Sequence, residues 1–324
     1  MAETHYEDYP TGTPRSPARR TGLWVLAAIL LCALFTAVFE YFVRTDTGQL
    51  AEYAMIDAAT HRVSSLSARG VNVGWIQSLM VVIPAALFVL LTILRRAFLS
   101  ALIAAITVLG ANVTTQLLKN VILERPDLAN GVPDWAGNSL PSGHTTFAAS
   151  LAVAVFLVSG PRQRPLIGLL TAVYASGVGA YVFTETWHRP SDVIAAYLVV
   201  AIWGTVGGWL AMRVEPVPNS VTLDRPANAA GPAVLCLLLG LALTAGAALT
   251  FALGGTLEAG ESGSVWHWCA GLLLSVGPAF LIGGAGITFF QAESGRRHRG
   301  RRGPQDLQET RYPIPPELAE LYTV

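Results

Sequence analysis

The run SDVIAAYLVVAIWGTVGGWLAM, residues 191–212, carries one charge, Asp192, at its second position and none after it. A helix rises about 1.5 Å per residue, so roughly 20 apolar residues cross the hydrocarbon core of a bilayer. The run therefore reads as a membrane helix that starts at a polar edge. Working outward, seven more stretches meet the same requirement: 22–43, 75–94, 97–118, 144–160 and 166–183 before it, 231–253 and 266–290 after it. Those at 144–160 and 166–183 are short. The fold class expected is all-α, a polytopic membrane helix bundle of eight transmembrane helices.

Composition agrees. Of 324 residues, 52% are hydrophobic and 13% charged, whereas soluble domains carry about a quarter charged residues. The formal net charge is zero, so nothing marks nucleic acid as a partner; the partner expected is the bilayer. Oligomeric state leaves no trace in the sequence. Cys32, Cys236 and Cys269 all lie in apolar stretches, with spacing that fits neither a disulfide framework nor a zinc site; they read as small buried apolar residues. The first 20 residues are polar, and the apolar run that follows is too long for a signal-peptide core, so it reads as a retained span.

The cations orient the bundle. With the N-terminus in the cytoplasm, 15 of the 21 basic residues fall on the cytoplasmic side, among them Arg95, Arg96, Arg162, Arg164, Arg213 and the tail arginines, the bias that membrane insertion favours. The other side then holds Arg44, Arg62, Arg69, Lys119, Arg125 and Arg189. The expected organisation is a cytoplasmic disordered N-terminus (1–21), a six-helix core (22–212), a cytoplasmic linker (213–230), two additional helices (231–290) and a basic, Pro-containing cytoplasmic tail (291–324). The cluster Arg296–Arg302 reads as a topology anchor, with anionic lipid headgroups as the alternative ligand. An interfacial helix is expected around Leu50–Leu66.

Three polar segments fall on the extracytoplasmic side: Lys119-Asn-Val-Ile-Leu-Glu-Arg125-Pro126, Pro141-Ser142-Gly143-His144, and His188-Arg189-Pro190-Ser191-Asp192. Between His144 and His188 the chain crosses twice, which returns it to the face it left. Two spans begin at these segments, and helix N-termini offer free N–H groups and a dipole that favours an anion. Pro190 suits a first helical turn, and Gly143 lets a backbone approach a ligand closely. Lys119 is the sole lysine of the chain. Two cations, two helix N-termini, a hydroxyl and two imidazoles make a phosphate site.

The chemistry follows from spacing. His188 and Asp192 are four apart, on one helical face. A carboxylate on one imidazole nitrogen fixes the tautomer and frees the other nitrogen to attack. His188 is thus the candidate nucleophile, His144 the general acid and later base, and Asp192 the orienting carboxylate. Lys119, Arg125, Ser142 and Gly143 are candidates for holding phosphate oxygens. The chemistry calls for no metal and no cofactor. Asp192 has a simpler reading as a helix cap. Asn138 and Ser191 read as turn or capping residues, Trp135 and Trp187 as an interfacial aromatic belt, and His61 and His267 as interfacial. The polar face Asn112, Thr114, Thr115 and Gln116 reads as interhelical hydrogen bonding.

These segments resemble the phosphatidic acid phosphatase type 2 family, over roughly residues 75–212. The family pattern is Lys-x6-Arg-Pro, Pro-Ser-Gly-His and Ser-Arg-x5-His-x3-Asp. The resemblance implies a lipid phosphate or diphosphate substrate, a histidine nucleophile, a phosphohistidine and no metal requirement. Undecaprenyl diphosphate, phosphatidic acid and phosphatidylglycerol phosphate all fit, the first favoured by family analogy. Two departures stand out. The first motif is one residue short, which turns Lys119 by about 100° on a helix. The third motif has Tyr181 and Val182 where the pattern has Ser-Arg, and Arg189 is the substitute on offer. Two other readings stay open: a lipid phosphotransferase, and a non-enzymatic transporter or assembly factor that retains a degenerate site.

Overall fold

The computed structural model describes residues 15–67, 74–128, 138–222, 230–256 and 261–297. Among the described residues are nine α-helices: α1 (Thr21–Arg44), α2 (Asp46–Ser67), α3 (Gly74–Arg95), α4 (Phe98–Leu117), α5 (Gly143–Val158), α6 (Arg164–Thr184), α7 (Pro190–Val214), α8 (Ala230–Gly254) and α9 (Val265–Glu293). Seven are long and apolar enough to cross a membrane, and α5 is apolar but only 16 residues long. Each of the eight predicted spans is a helix, and the protein is a multi-pass, all-α membrane bundle.

Helix α7 is its axis. Every residue from Val193 to Val200 is buried, as expected of a helix apolar all round. Its flanks are α1, α4, α5 and α9. On the periphery, Leu26, Ile29 and Leu30 of α1 and Val82, Leu90 and Leu94 of α3 are exposed, the surface a bilayer covers. Helices α8 and α9 lie against each other along small residues. A Cβ on Gly277 would sit 2.5 Å from the Thr244 hydroxyl, and one on Gly240 2.7 Å from the Leu281 amide; backbones this close exclude any side chain at those points.

Eight crossings return the chain to one end, and there the structure is tied. Arg15 forms a β-bridge with Arg296. Strand β1 (Ser220–Thr222) pairs in parallel with β2 (Gly295–Arg297). Glu293 accepts from Arg20 Nε at 2.7 Å and from Trp24 Nε1 at 3.2 Å. The stretch expected to be a plain linker thus contains a strand, and the first residues of the tail are its partner. The disorder expected of 1–14 and 298–324 concerns residues outside those described, as does Trp135.

Other expectations shift. Helix α2 is not merely interfacial: Ala51, Glu52, Ala54, Met55, Ile56, Ala58 and Ala59 are buried, and it packs on α9 and on the end of α6. Met55, Phe183 and Ala270 share one cluster. His267 is fully buried rather than interfacial. Its Nδ1 accepts from the Ser264 amide at 3.0 Å and its Nε2 meets the Gly255 carbonyl at 2.9 Å, so it joins the end of α8 to the start of α9. His61 is exposed. Cys236 is buried as expected, whereas Cys269 is half-buried and Cys32 is exposed on α1.

Candidate active site

The site lies at the end of the bundle opposite the tied strands, where α4 ends and α5 and α7 begin. Helix α4 closes in a π-turn, Leu118–Ile122, which carries Lys119. The chain then runs extended through Arg125 and Pro126. Asn138 staples this segment to the next one. Its Nδ2 donates to the carbonyls of Lys119 (3.2 Å), Leu123 (3.1 Å) and Leu140 (3.1 Å), and its Oδ1 accepts from the Leu140 amide. Asn138 is a turn residue, and it fixes the first two motifs to each other.

Ser142 caps α5. Its hydroxyl accepts from the Thr145 amide at 3.2 Å and donates to the Thr145 hydroxyl at 2.9 Å, and the residue is fully buried. The hydroxyl expected to hold phosphate thus also serves as the N-cap of α5. Gly143 and His144 open the helix beyond it, and His144 is exposed. Below them, interhelical hydrogen bonds join Asn112 to Ser150 (3.2 Å) and Thr115 to Thr146 (3.0 Å), while Trp203 donates to Thr114 (3.0 Å).

The link from α6 to α7 is tight. Thr186 has φ of 59°, in the left-handed region that a β-branched residue rarely enters. The amides of Trp187 and His188 both donate to the Val182 carbonyl, at 3.0 and 3.3 Å. The Val182 side chain is buried in the apolar core with Val178 and Val193. The position that is arginine in the family pattern is a packing position here.

His188 Nδ1 lies 3.2 Å from Asp192 Oδ2. The same oxygen accepts from the Ser139 hydroxyl at 2.6 Å and from the Arg189 amide at 3.1 Å. Asp192 is fully buried and His188 nearly so. The imidazole thus meets the carboxylate through Nδ1, and Nε2 is its other ring nitrogen. Asp192 is both cap and orienting group; the two readings are not exclusive. Arg189 donates from Nη1 to Ser139 at 3.0 Å, and burial, then Arg125, holds its guanidinium below the usual arginine range.

The two histidines meet: their ring centroids are 6.1 Å apart. Trp187 stands 5.2 Å from His144 and 5.3 Å from Tyr181, so it borders the site rather than serving only as a belt residue. Lys119 is close enough to interact electrostatically with His144.

Arg125 reaches the site by a route the sequence did not disclose. Its Nη2 is 3.0 Å from Oε2 of Glu52 on α2, while its Nη1 is buried without a partner among the described residues. Glu52 Oε1 accepts from the Ser191 amide at 3.1 Å. The first turn of α7, expected to offer its amides to a ligand, thus spends one on an internal carboxylate. Burial pushes the Glu52 carboxyl above the ordinary range, against the pull of Arg125. Ser139 and Glu52 are the two site residues missed by sequence reasoning.

Two elements of class follow from this geometry: a helical membrane domain, and an oriented histidine beside a second histidine and several cations. Residues 99–217, from the start of α4 to just past α7, match the PAP2 superfamily. Phosphatidylglycerophosphatase B of Escherichia coli (strain K12) is 37% identical over 78 residues, which cover 24% of this chain and 31% of that protein. The phosphatidylglycerophosphatases B of Escherichia coli O157:H7 and of Shigella flexneri match with the same figures. The match thus spans under a third of the length of these relatives. No solved structure gives a significant match.

Proposed function

We propose that this protein is a lipid phosphatase that hydrolyses a phosphate monoester or diphosphate through a phosphohistidine on His188. The observation that carries this reading is the His188–Asp192 pair, 3.2 Å apart, with the His144 ring 6.1 Å from that of His188. Asp192 holds the His188 proton on Nδ1, and Nε2 attacks phosphorus in line with the leaving oxygen. His144 gives its proton to that oxygen as the ester or anhydride P–O bond breaks and the N–P bond forms. The same imidazole then takes a proton from water, whose oxygen attacks phosphorus and releases inorganic phosphate from His188. Lys119, Arg125, Arg189 and the amides at Gly143 and His144 hold the phosphoryl oxygens as charge builds on them. None of these steps requires a metal ion.

The arginine bias supports a site on the extracytoplasmic face with both termini in the cytoplasm. Apolar walls with a polar mouth suit a substrate whose tails stay in the bilayer. The relatives' name supports phosphatidylglycerol phosphate beside undecaprenyl diphosphate and phosphatidic acid as the substrates to test first. The test is phosphate release by the purified protein from each lipid, with EDTA present and with vanadate as inhibitor. Release that His188→Ala leaves intact removes the nucleophile assignment. Phosphate that appears only on an added alcohol or sugar acceptor makes the protein a phosphotransferase.

A further inference from the structure

Glu52 is fully buried and belongs to a helix outside the matched residues 99–217. The sequence around it, Asp46–Ser67, is Ala-rich and polar in parts, and marks no catalytic motif. Yet its carboxylate divides between two parts of the site. One oxygen takes the Arg125 guanidinium at 3.0 Å, the other the Ser191 amide at 3.1 Å, in the turn that carries Asp192. Three residues earlier, Gln49 Nε2 donates to the Pro126 carbonyl at 2.7 Å and to the Val43 carbonyl at 2.8 Å. One face of α2 therefore grips both side chain and backbone of the Arg125-Pro126 loop.

An arginine buried without an acid partner is costly, and one clamped bidentately on both edges has no donors left. Arg125 is neither. Glu52 engages Nη2 alone, and Nη1 is buried without a partner among the described residues. We propose that Glu52 is a positioning residue of the phosphate site: it neutralises and orients Arg125 from behind, so that the unpaired edge is fixed in advance for phosphoryl oxygens. It also ties that edge to the first turn of α7, and so to the His188–Asp192 pair. This charged anchor does part of the work of the guanidinium that the chain lacks at Val182, because a preset donor loses less on binding than a mobile one. The inference rests on the phosphatase reading above.

The test uses the full-length protein in detergent or liposomes, with Glu52→Gln, Glu52→Asp, Arg125→Ala and the double variant Glu52→Gln/Arg125→Ala. Glutamine keeps the shape and an acceptor for Ser191 but presents an amide where Arg125 needs an anion. The expected result for Glu52→Gln is a fall in kcat/KM of about 30-fold, with the vanadate inhibition constant raised by at least about tenfold, since a misplaced donor costs most in the pentacoordinate geometry. Glu52→Asp recovers part of both. In the Arg125→Ala background, Glu52→Gln brings no further loss, because the residue acts through Arg125. A purely structural role reduces the active fraction instead: Vmax falls, the vanadate constant stays at the wild-type value, and losses multiply in the double variant. Either of those last two outcomes overturns the proposal. Wild-type protein inactive on every lipid phosphate sinks the phosphatase reading, whereas an active wild type matched by Glu52→Gln sinks Glu52 alone.

Discussion

Two arginines at opposite ends of the bundle have largely covered side chains, and they are treated differently. Arg125, at the histidine end, meets the Glu52 carboxylate and keeps one nitrogen uncommitted. Arg164, at the end where the termini are tied, has no carboxylate within ion-pair distance among the described residues. It donates to Asn219 Oδ1 and, at 3.3 Å, to the Leu157 carbonyl, and it stacks on the Phe156 and Phe290 rings at 5.9 and 5.6 Å. Both keep buried nitrogens without a partner among the described residues, Nη1 of Arg125 and Nε and Nη1 of Arg164, so what separates the two is the anion beside Arg125 and the neutral dipoles and ring faces around Arg164. Of the other cations at that end, Arg95 donates to the Val158 carbonyl and Arg213 to the Thr21 hydroxyl, whereas Arg20 pairs with the Glu293 carboxylate.

The contrast is sharpest when each end is altered in turn. His188→Ala is expected to lower kcat by at least about 10³-fold, because the N–P bond has no other donor, while thermal unfolding in detergent stays close to wild type. Asp192→Asn loses the acceptor that sets the His188 tautomer, and a fall of about 10²-fold in kcat follows; single-turnover phosphate release measures both. Arg125→Lys keeps the charge but not the planar fork, so kcat/KM drops about tenfold or more. Arg164→Ala breaks the comparison from the other side. It empties space between two aromatic rings and costs about 2–3 kcal/mol, read as a Tm several degrees lower, with kcat/KM of the folded protein within about twofold of wild type. A large kcat effect at Arg164 would mean that the two ends are coupled. Arg213→Ala, an exposed contact, shifts stability by no more than about 0.5 kcal/mol.

What was legible in the sequence divides along physical lines. Helices that meet lipid announce themselves, since solvent and interior are both apolar and every residue must comply; hence all eight spans, with ends within a few residues. The convergence of His144 with His188 followed from counting crossings. Helix α2 was misjudged because its burial comes from docking, not composition: a Glu on a partly polar helix reads as solvent-facing until Arg125 is known to sit against it. Ser139 was hidden for the same reason, its role being set by an aspartate 53 residues away. His267 looked like any membrane-surface histidine, and only the approach of Gly255 makes it a buried joint. The capping of α5 by Ser142 was not read from the motif, which was taken for chemistry alone.

The seat of α2 has a bearing on how the protein comes to be. Phe183 and Met55 press on Gly271, where a Cβ would meet the phenyl ring at 2.2 Å and the Met55 Cβ at 3.0 Å, and the Arg62 guanidinium covers the Trp268 ring at 4.8 Å. The wall that seats the Glu52 helix is thus on α9, made after every residue of the matched segment 99–217. A chain halted after residue 217 would carry all three polar segments and still lack the α9 surface against which the Glu52 helix is docked, so the seat of that carboxylate lies outside the segment that bears the motifs.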